Sequence, residues 1–395
     1  MIKLNAYSIL LFVIVALLMA EHACGSTFIV SSQYIDSYSI QKAINGAEQG
    51  DRIIVKSGVY KENINVTKSL ILVGVDSGRG LPVIDAGNKR SALVIVADGV
   101  QLEGFEIRNS GSNLGDSGIT VLSKNNIIRD NKLFNNTYGI NLEGSSGDLI
   151  LNNLADANDV SIYMHNSRNV LVKGCTAMNN LFGGIFLSES GNNTLEGNTA
   201  RKNAWAGIIL SNSAYNAIVG NTVMENDNEG IWMLDCDHNL VRGNLVSSTY
   251  VFGLRIVRSK RNVIDGNNAT GNLDGVSLEA SEENIITNNS IARNLYGVYM
   301  DDSNYNQVYL NDIFGNEICS AYSSNSTNIW NTTVPILYEY RNLASLHSLG
   351  NYWGGNPGRI RYASGVSTVP YSNGLITDLS PLIEPTRMYR LLSRA

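Results

Sequence analysis

The chain has 395 residues, a net charge of −6 and only 16% charged residues. It has no basic stripe, which excludes a nucleic-acid partner. After its N-terminal apolar run it has no second one of that length, which leaves the body without a membrane span. Its polarity comes from Asn, Ser and Gly, with 37 Gly against 6 Pro.

Residues 1–25 read as a signal peptide, with Lys3 as the basic end and Ile9 to Ala20 as the apolar core. That core is too short to span a bilayer comfortably, and Ala23-Cys24-Gly25 offers small residues for cleavage before Ser26. The expectation is a secreted or cell-surface protein, with an uncleaved anchor as the alternative. A helix is predicted from Ser39 to Ala47. Ser39 would be its N-cap, and Ile40, Ala43, Ile44 and Ala47 would form one apolar face. Short strands follow at Arg52–Val55, around Asn63–Val66, at Leu70–Val73 and at Pro82–Ile84. Leu93–Val96, Val100–Leu102 and Phe105–Ile107 read as a first irregular rung, and Gly111–Gly118 as a loop leaving the stack.

From Gly139 onward one pattern repeats eight times, starting at Gly139, Ser161, Gly184, Gly207, Gly230, Gly253, Gly275 and Gly297, in steps of 22 or 23 residues. One and three positions after each start the residue is aliphatic or Met, as in Ile208 and Leu210. Fourteen and nineteen positions after, it is almost always Asn, as in Asn221 and Asn226. Apolar positions two apart, in runs of about three to five, are strand signals too short for paired helices. A repeat of this size buries a core only by stacking on its copies. The reading is all-β: a right-handed parallel β-helix, a solenoid whose rungs rise by about 4.8 Å. The two Asn columns read as inward ladders at the corners, where Asn also tolerates a left-handed backbone. The chain divides into an N-terminal cap with irregular rungs (26–117), regular rungs (118–318) and a C-terminal segment (319–395). Trp330, Tyr338, Tyr340, Tyr352 and Trp353 mark that last segment as a cap, and Thr386–Ala395 as a loose end. Cys175, Cys236 and Cys319 lie rungs apart, beyond the roughly 7 Å reach of a disulfide.

Alternation places two columns on the outside of the first strand. The column two after each start contains Tyr163, Phe186, Ile209, Trp232, Arg255 and Tyr299, an apolar stripe where a solvated face is expected. Such a stripe suits the C–H faces of sugar rings or a protein partner, unless the Gly111–Gly118 loop or the C-terminal segment covers it. The column four after contains Glu279 and Asp301 on neighbouring rungs, with Cβ atoms expected about 5 Å apart, near the separation of a retaining glycosidase pair. Asp302 beside them makes a carboxylate group suited to calcium. Asp235-Cys236-Asp237-His238 is the one stretch with ligands suited to copper, although sequential residues on a strand point in alternate directions.

A family resemblance rests on several stretches. These are Ser39-Ile40-Gln41, Gly50-Asp51, Gly58-Val59-Tyr60, "KSLILVGV" (68–75), "PVIDAG" (82–87) and "GVQLEGFEIRNS" (99–110). "GNYWGG" (350–355), "VPY" (369–371), Asp378 and Pro381-Leu382 complete it. Together they resemble NosD-like β-helix proteins, whose rungs are of the carbohydrate-binding-and-sugar-hydrolase type. The resemblance implies an exported protein, of a kind common at the surface of methanogenic archaea, and for the family's namesake a role in copper maturation. Only four His are present, and the segment after "NYW" lacks acidic residues, so this chain departs from a copper protein at those points.

The resulting expectation is non-catalytic binding of a glycan or surface protein by Tyr163, Phe186, Trp232, Arg255 and Tyr299. The alternatives are a polysaccharide hydrolase or lyase acting through Glu279 and Asp301, and a copper accessory using Cys236, Asp237 and His238. No cofactor is firmly implied; calcium and copper are the ions the residues suit, and a dimer is open.

Overall fold

The structure is a computed structural model describing residues 25–32, 39–354 and 363–392. Apart from Gly25, the predicted signal segment lies outside the described residues. The chain winds into three long parallel sheets of 13, 12 and 12 strands, each strand hydrogen-bonded to its counterpart one turn on. One regular rung consists of Ala206–Ser211, Ala217–Val219 and Thr222–Met224, one strand per sheet. The sheet built from the six-residue strands is called the long-strand sheet below. Its register confirms the columns: Ile208 pairs with Ile231, Ile209 with Trp232 and Leu210 with Met233. Ile208, Leu210, Ile218 and Val223 are all fully buried. Each such side chain contributes about 1.5–3 kcal/mol of burial, and the sum over rungs holds the stack together.

The corners carry three Asn ladders rather than two. The third runs through Asn193, Asn216, Asn239, Asn262, Asn284 and Asn306, nine positions after each repeat start. In each ladder one amide oxygen accepts from both the backbone and the side chain of the rung before. Asn244 Oδ1, for example, lies 2.8 Å from Asn221 N and 2.9 Å from Asn221 Nδ2. Its own Nδ2 donates to Ile218 O and to Asn267 Oδ1. Cys175 occupies a ladder position and donates to Ile150 O, while Cys236 replaces a Ser in a parallel hydroxyl column. All three described cysteines are free.

The left-handed backbone is one residue away from where the sequence suggested. Residues with positive φ precede the ladder positions: Asn192 at 58°, His238 at 58°, Asn152 at 52°. The turn is made by that residue, which leaves the ladder Asn free to aim its amide inward. The repeat-start column has a different constraint. A Cβ on Gly230 would lie 2.3 Å from Val246 Cγ1. Position zero therefore faces inward like the aliphatic residue after it. The strand bends there, and the register steps directly from Tyr138–Val160 to Ile140–Ile162. Ser161 is the one side chain at the eight repeat starts, and its hydroxyl bonds Ala155 O at 3.0 Å.

Both ends are closed. Helix α1 (Ile40–Gly46) buries Ile40 and Ile44 against the first rungs, and Ser39 caps it as predicted. The Glu62 carboxylate accepts from Ser39 Oγ and from the free N–H groups of Ile40 and Gln41. The rungs begin before the predicted first one, since Thr27–Val30 already pairs with Arg52–Lys56. Ser117, assigned to a loop from sequence, opens the strand Ser117–Val121, so the regular rungs start one residue before the predicted Gly118. At the other end Asn351 of the "NYW" motif extends the ladder of Asn244 and Asn267, accepting from Asn311 across 40 residues of chain. Buried Asp378 accepts from Asn351 N and Trp353 Nε1 and is pushed up to about 6 by desolvation. The predicted loose tail is a correction: Tyr389–Leu391 pairs antiparallel with Ile336–Tyr340, and the Tyr389 ring stacks on Tyr340.

Candidate binding face and acidic cluster

The bend at each repeat start determines what the long-strand sheet shows outward. Because positions zero and one both face in, the residue before the start faces out, together with those two and four after it. The outer surface therefore holds three columns rather than two.

Tyr163, Phe186, Ile209, Trp232, Arg255, Ser277, Tyr299 and Tyr322 follow one another in register down the middle column. Rings from the flanking column and corner join them. Tyr138 stacks on Tyr163 at 4.9 Å, Phe182 lies 5.2 Å from Trp205, and Trp205 stacks on Trp232 at 6.1 Å. Further along, Tyr299 and Tyr322 stack at 5.0 Å with Tyr296 edge-on to both. Ile209 is only 1% exposed, sealed between the rings of neighbouring rungs. The Gly111–Gly118 loop does not lie over the stripe as a lid. Its Gly111 and Asp116 bond to Thr137 and Tyr138 at the edge, and Leu114 at its tip is 93% exposed.

Between the two aromatic groups sits a charged cluster. The Arg255 guanidinium lies 4.5 Å over the Phe252 ring and bonds Glu229 Oε1 and Glu279 Oε2, each at 3.1 Å. Glu229 is 1% exposed, Arg255 27% and Glu279 52%, so only the Glu229 side of this network is out of water. Burial raises the Glu229 carboxyl against the pull of Arg255. Asp274, two rungs along the same column, is pushed up to about 6 by burial, partly offset by Arg255 and Ser277. Among the described residues, Asn141 Oδ1, Glu229 Oε2, Trp232 Nε1 and Asp274 Oδ1 on this face are buried and find no hydrogen-bond partner. Glu229 and Asp274 escaped sequence reasoning because simple alternation places their column inside.

The structure brings Glu279 and Asp301 together as register partners. Glu279 is tied to Arg255, however, and the neighbouring Asp302 is exposed on a left-handed turn residue. The copper-like stretch is dispersed. Cys236 points inward, donates to Leu234 O and is pushed up to about 12 by burial. Asp235 is bonded bidentately to Arg258, Asp237 accepts from Lys260 N, and His238 stacks on Tyr215. His165 bonds Glu143 at 2.7 Å, which raises its pKa. Among the described residues no three His, Cys, Asp or Glu side chains converge on one point that could hold a metal ion.

These features define a class: a capped parallel β-solenoid with an aromatic and acidic face along one sheet. Within that class the chain belongs to the NosD family, described as periplasmic copper-binding proteins, which matches residues 44–244 and 221–358. No curated protein sequence matches at a significant level. Among solved structures, the mannuronan C-5 epimerase AlgE6 A-module of Azotobacter vinelandii is similar, with 15% identity and a TM-score of 0.60, over 73% of this chain and 91% of that one. The Dettilon tailspike protein is 14% identical with a TM-score of 0.61, over 79% and 73%. The GH136 lacto-N-biosidase of Eubacterium ramulus is 12% identical with a TM-score of 0.50, over 77% and 67%. At such identities the likeness is one of fold. The family description names copper, but the described residues do not fit a copper centre, because the one thiol of the copper-like stretch is turned into the core and the imidazoles lie on separate rungs.

Proposed function

We propose that the outer face of the long-strand sheet binds a glycan chain lengthwise, in an exported protein. The observation that supports this most is the run of half-buried rings from Tyr138 to Tyr322, a face of eight rung steps and so roughly 38 Å. A run of partly exposed rings suits the apolar C–H faces of sugars, and the exposed edges of Trp205 and the tyrosines border it. All three similar folds named above belong to glycan-acting or phage-tailspike proteins, which supports the reading by analogy alone. Arg255 is the only cation in the middle column and is already held by two carboxylates, so the face suits uncharged sugars better than uronates.

The test is a glycan array on the full chain with Trp232→Ala beside it. Binding lost in that variant supports the stacking face, and no binding to any glycan overturns it. Catalysis is the second reading, and one observation favours it: Glu229 and Asp274 are carboxyls whose burial favours the protonated form, as a general acid requires. Product release lost in Asp274→Asn with binding retained would put it first.

A further inference from the structure

At the N-terminal end of the same face the rings close around a cleft. Tyr138, Tyr163, Phe182 and Phe186 line it, with Asp159 and Val160 between them. The rings present walls in different directions: Phe186 stands at 72° to Tyr163, and Phe182 is tilted 34° from Phe186. Among the described residues, no hydrogen bond or ion pair reaches the Asp159 carboxylate, although it is half-buried. Its pKa is raised, with burial as the sole cause. The lining contains no Lys, Arg or His.

We infer that this cleft binds a quaternary or N-methylated ammonium group. The argument is one of matching chemistry. A cation is drawn to the faces of aromatic rings, and the attraction grows as water is excluded. An unpaired carboxylate in a partly desolvated wall gains most from an opposite charge. A primary ammonium or a sugar would bring several N–H or O–H donors, each needing an acceptor. Phe182 and Phe186 have none, the Thr137 hydroxyl of the lining is already spent as a donor on Gly111 O, the two Tyr hydroxyls are few against that demand, and Asp159 supplies the one carboxylate of the lining. Methyl groups on nitrogen remove that demand while keeping the charge, so the ligand buries its methyls against the rings and its charge beside Asp159. This site shares Tyr138, Tyr163 and Phe186 with the proposed glycan face but does not rest on that reading: it needs no sugar, and none of Trp232, Arg255 or Tyr299 lines it.

The test is calorimetry of the full chain with choline, with tetramethylammonium, and with 3,3-dimethylbutan-1-ol, the uncharged isostere of choline, at constant ionic strength. Choline and tetramethylammonium are expected to bind saturably and at least tenfold more tightly than the alcohol. Asp159→Asn is expected to abolish that preference, and Trp232→Ala to leave it intact. Since the Asp159 carboxylate has no partner to lose, its variant tests binding rather than folding, and an unchanged thermal melt would verify this. Tyr163→Leu is expected to weaken choline at least tenfold. Equal binding of the alcohol would overturn the inference in favour of a merely apolar cleft, as would no saturable binding of either cation. A glycan that binds the chain while neither cation binds saturably would leave the glycan reading standing while the cation site fell.

Discussion

The inner corners and the outer face of the rungs obey different rules. At the corners the Asn residues of each ladder are satisfied by the rungs on either side, and among the described residues no ladder amide is left unpaired. On the outer face the long strands hold four buried polar atoms with no partner, together with a carboxyl raised to about 6. Buried polar groups are ordinarily paired, because leaving one unmet costs about 1–3 kcal/mol. The contrast separates two tasks: the inside specifies the coil, and the unmet polar groups gather on the face proposed above to bind.

The largest test of that contrast is Asn244→Ala. It strips partners from Asn221 N, Asn221 Nδ2, Ile218 O and Asn267 Oδ1. The expected loss is about 3–5 kcal/mol, read as a lower midpoint in thermal or denaturant unfolding followed by circular dichroism. Trp232→Ala should do the reverse: glycan affinity at least tenfold weaker with the fold retained. If Trp232→Ala unfolds the chain while Asn244→Ala is silent, the division between inside and outside is wrong.

A smaller effect is expected from pH. Asp378 in the cap has a folded pKa of about 6, above its ordinary value of 3.8. The native state keeps a proton that the unfolded chain releases, so this group's contribution to stability falls as pH rises from about 4 to 6 and is flat above. Asp378→Asn should flatten that slope in melts taken across the window. The smallest effect is a gain. Cys175→Asn restores the ladder between Asn153 and Asn198, where the present Asn153 Nδ2 to Sγ contact is 4.0 Å. It should stabilise by about 1 kcal/mol, seen as a raised melting temperature.

How far the sequence could be read follows from the same bend. The rung period, the inward Ile and Leu columns and two Asn ladders were legible because each repeats at one fixed position. The third ladder is less plain in the sequence: it is Asn from Asn193 onward, but Asp148 and Val170 hold the same position in the first two repeats. Glu229, Asp274, Tyr138 and Phe252 were not legible by alternation, since two successive inward residues at Gly230 or Gly139 shift the phase of all that precede them. Three-dimensional stacking then brings Trp205 to Trp232 and Phe182 to Phe186, neighbours that no two-residue period announces. The metal-like stretch failed for the opposite reason: Cys236 is adjacent to Asp235 and Asp237 in sequence but occupies an inward column with Ser259.

The link from Asn311 to Asn351 also bears on descent. The C-terminal lid holds the last rung through that Asn column and through Asp312, Ala321 and Leu310, with no contact that counts how many rungs came before. Duplication or deletion of a whole turn would therefore leave both ends seated, and lineages could vary the length of the outer face as one varies the teeth of a comb. A related chain with more turns would offer a longer face to its ligand while using the same two end pieces.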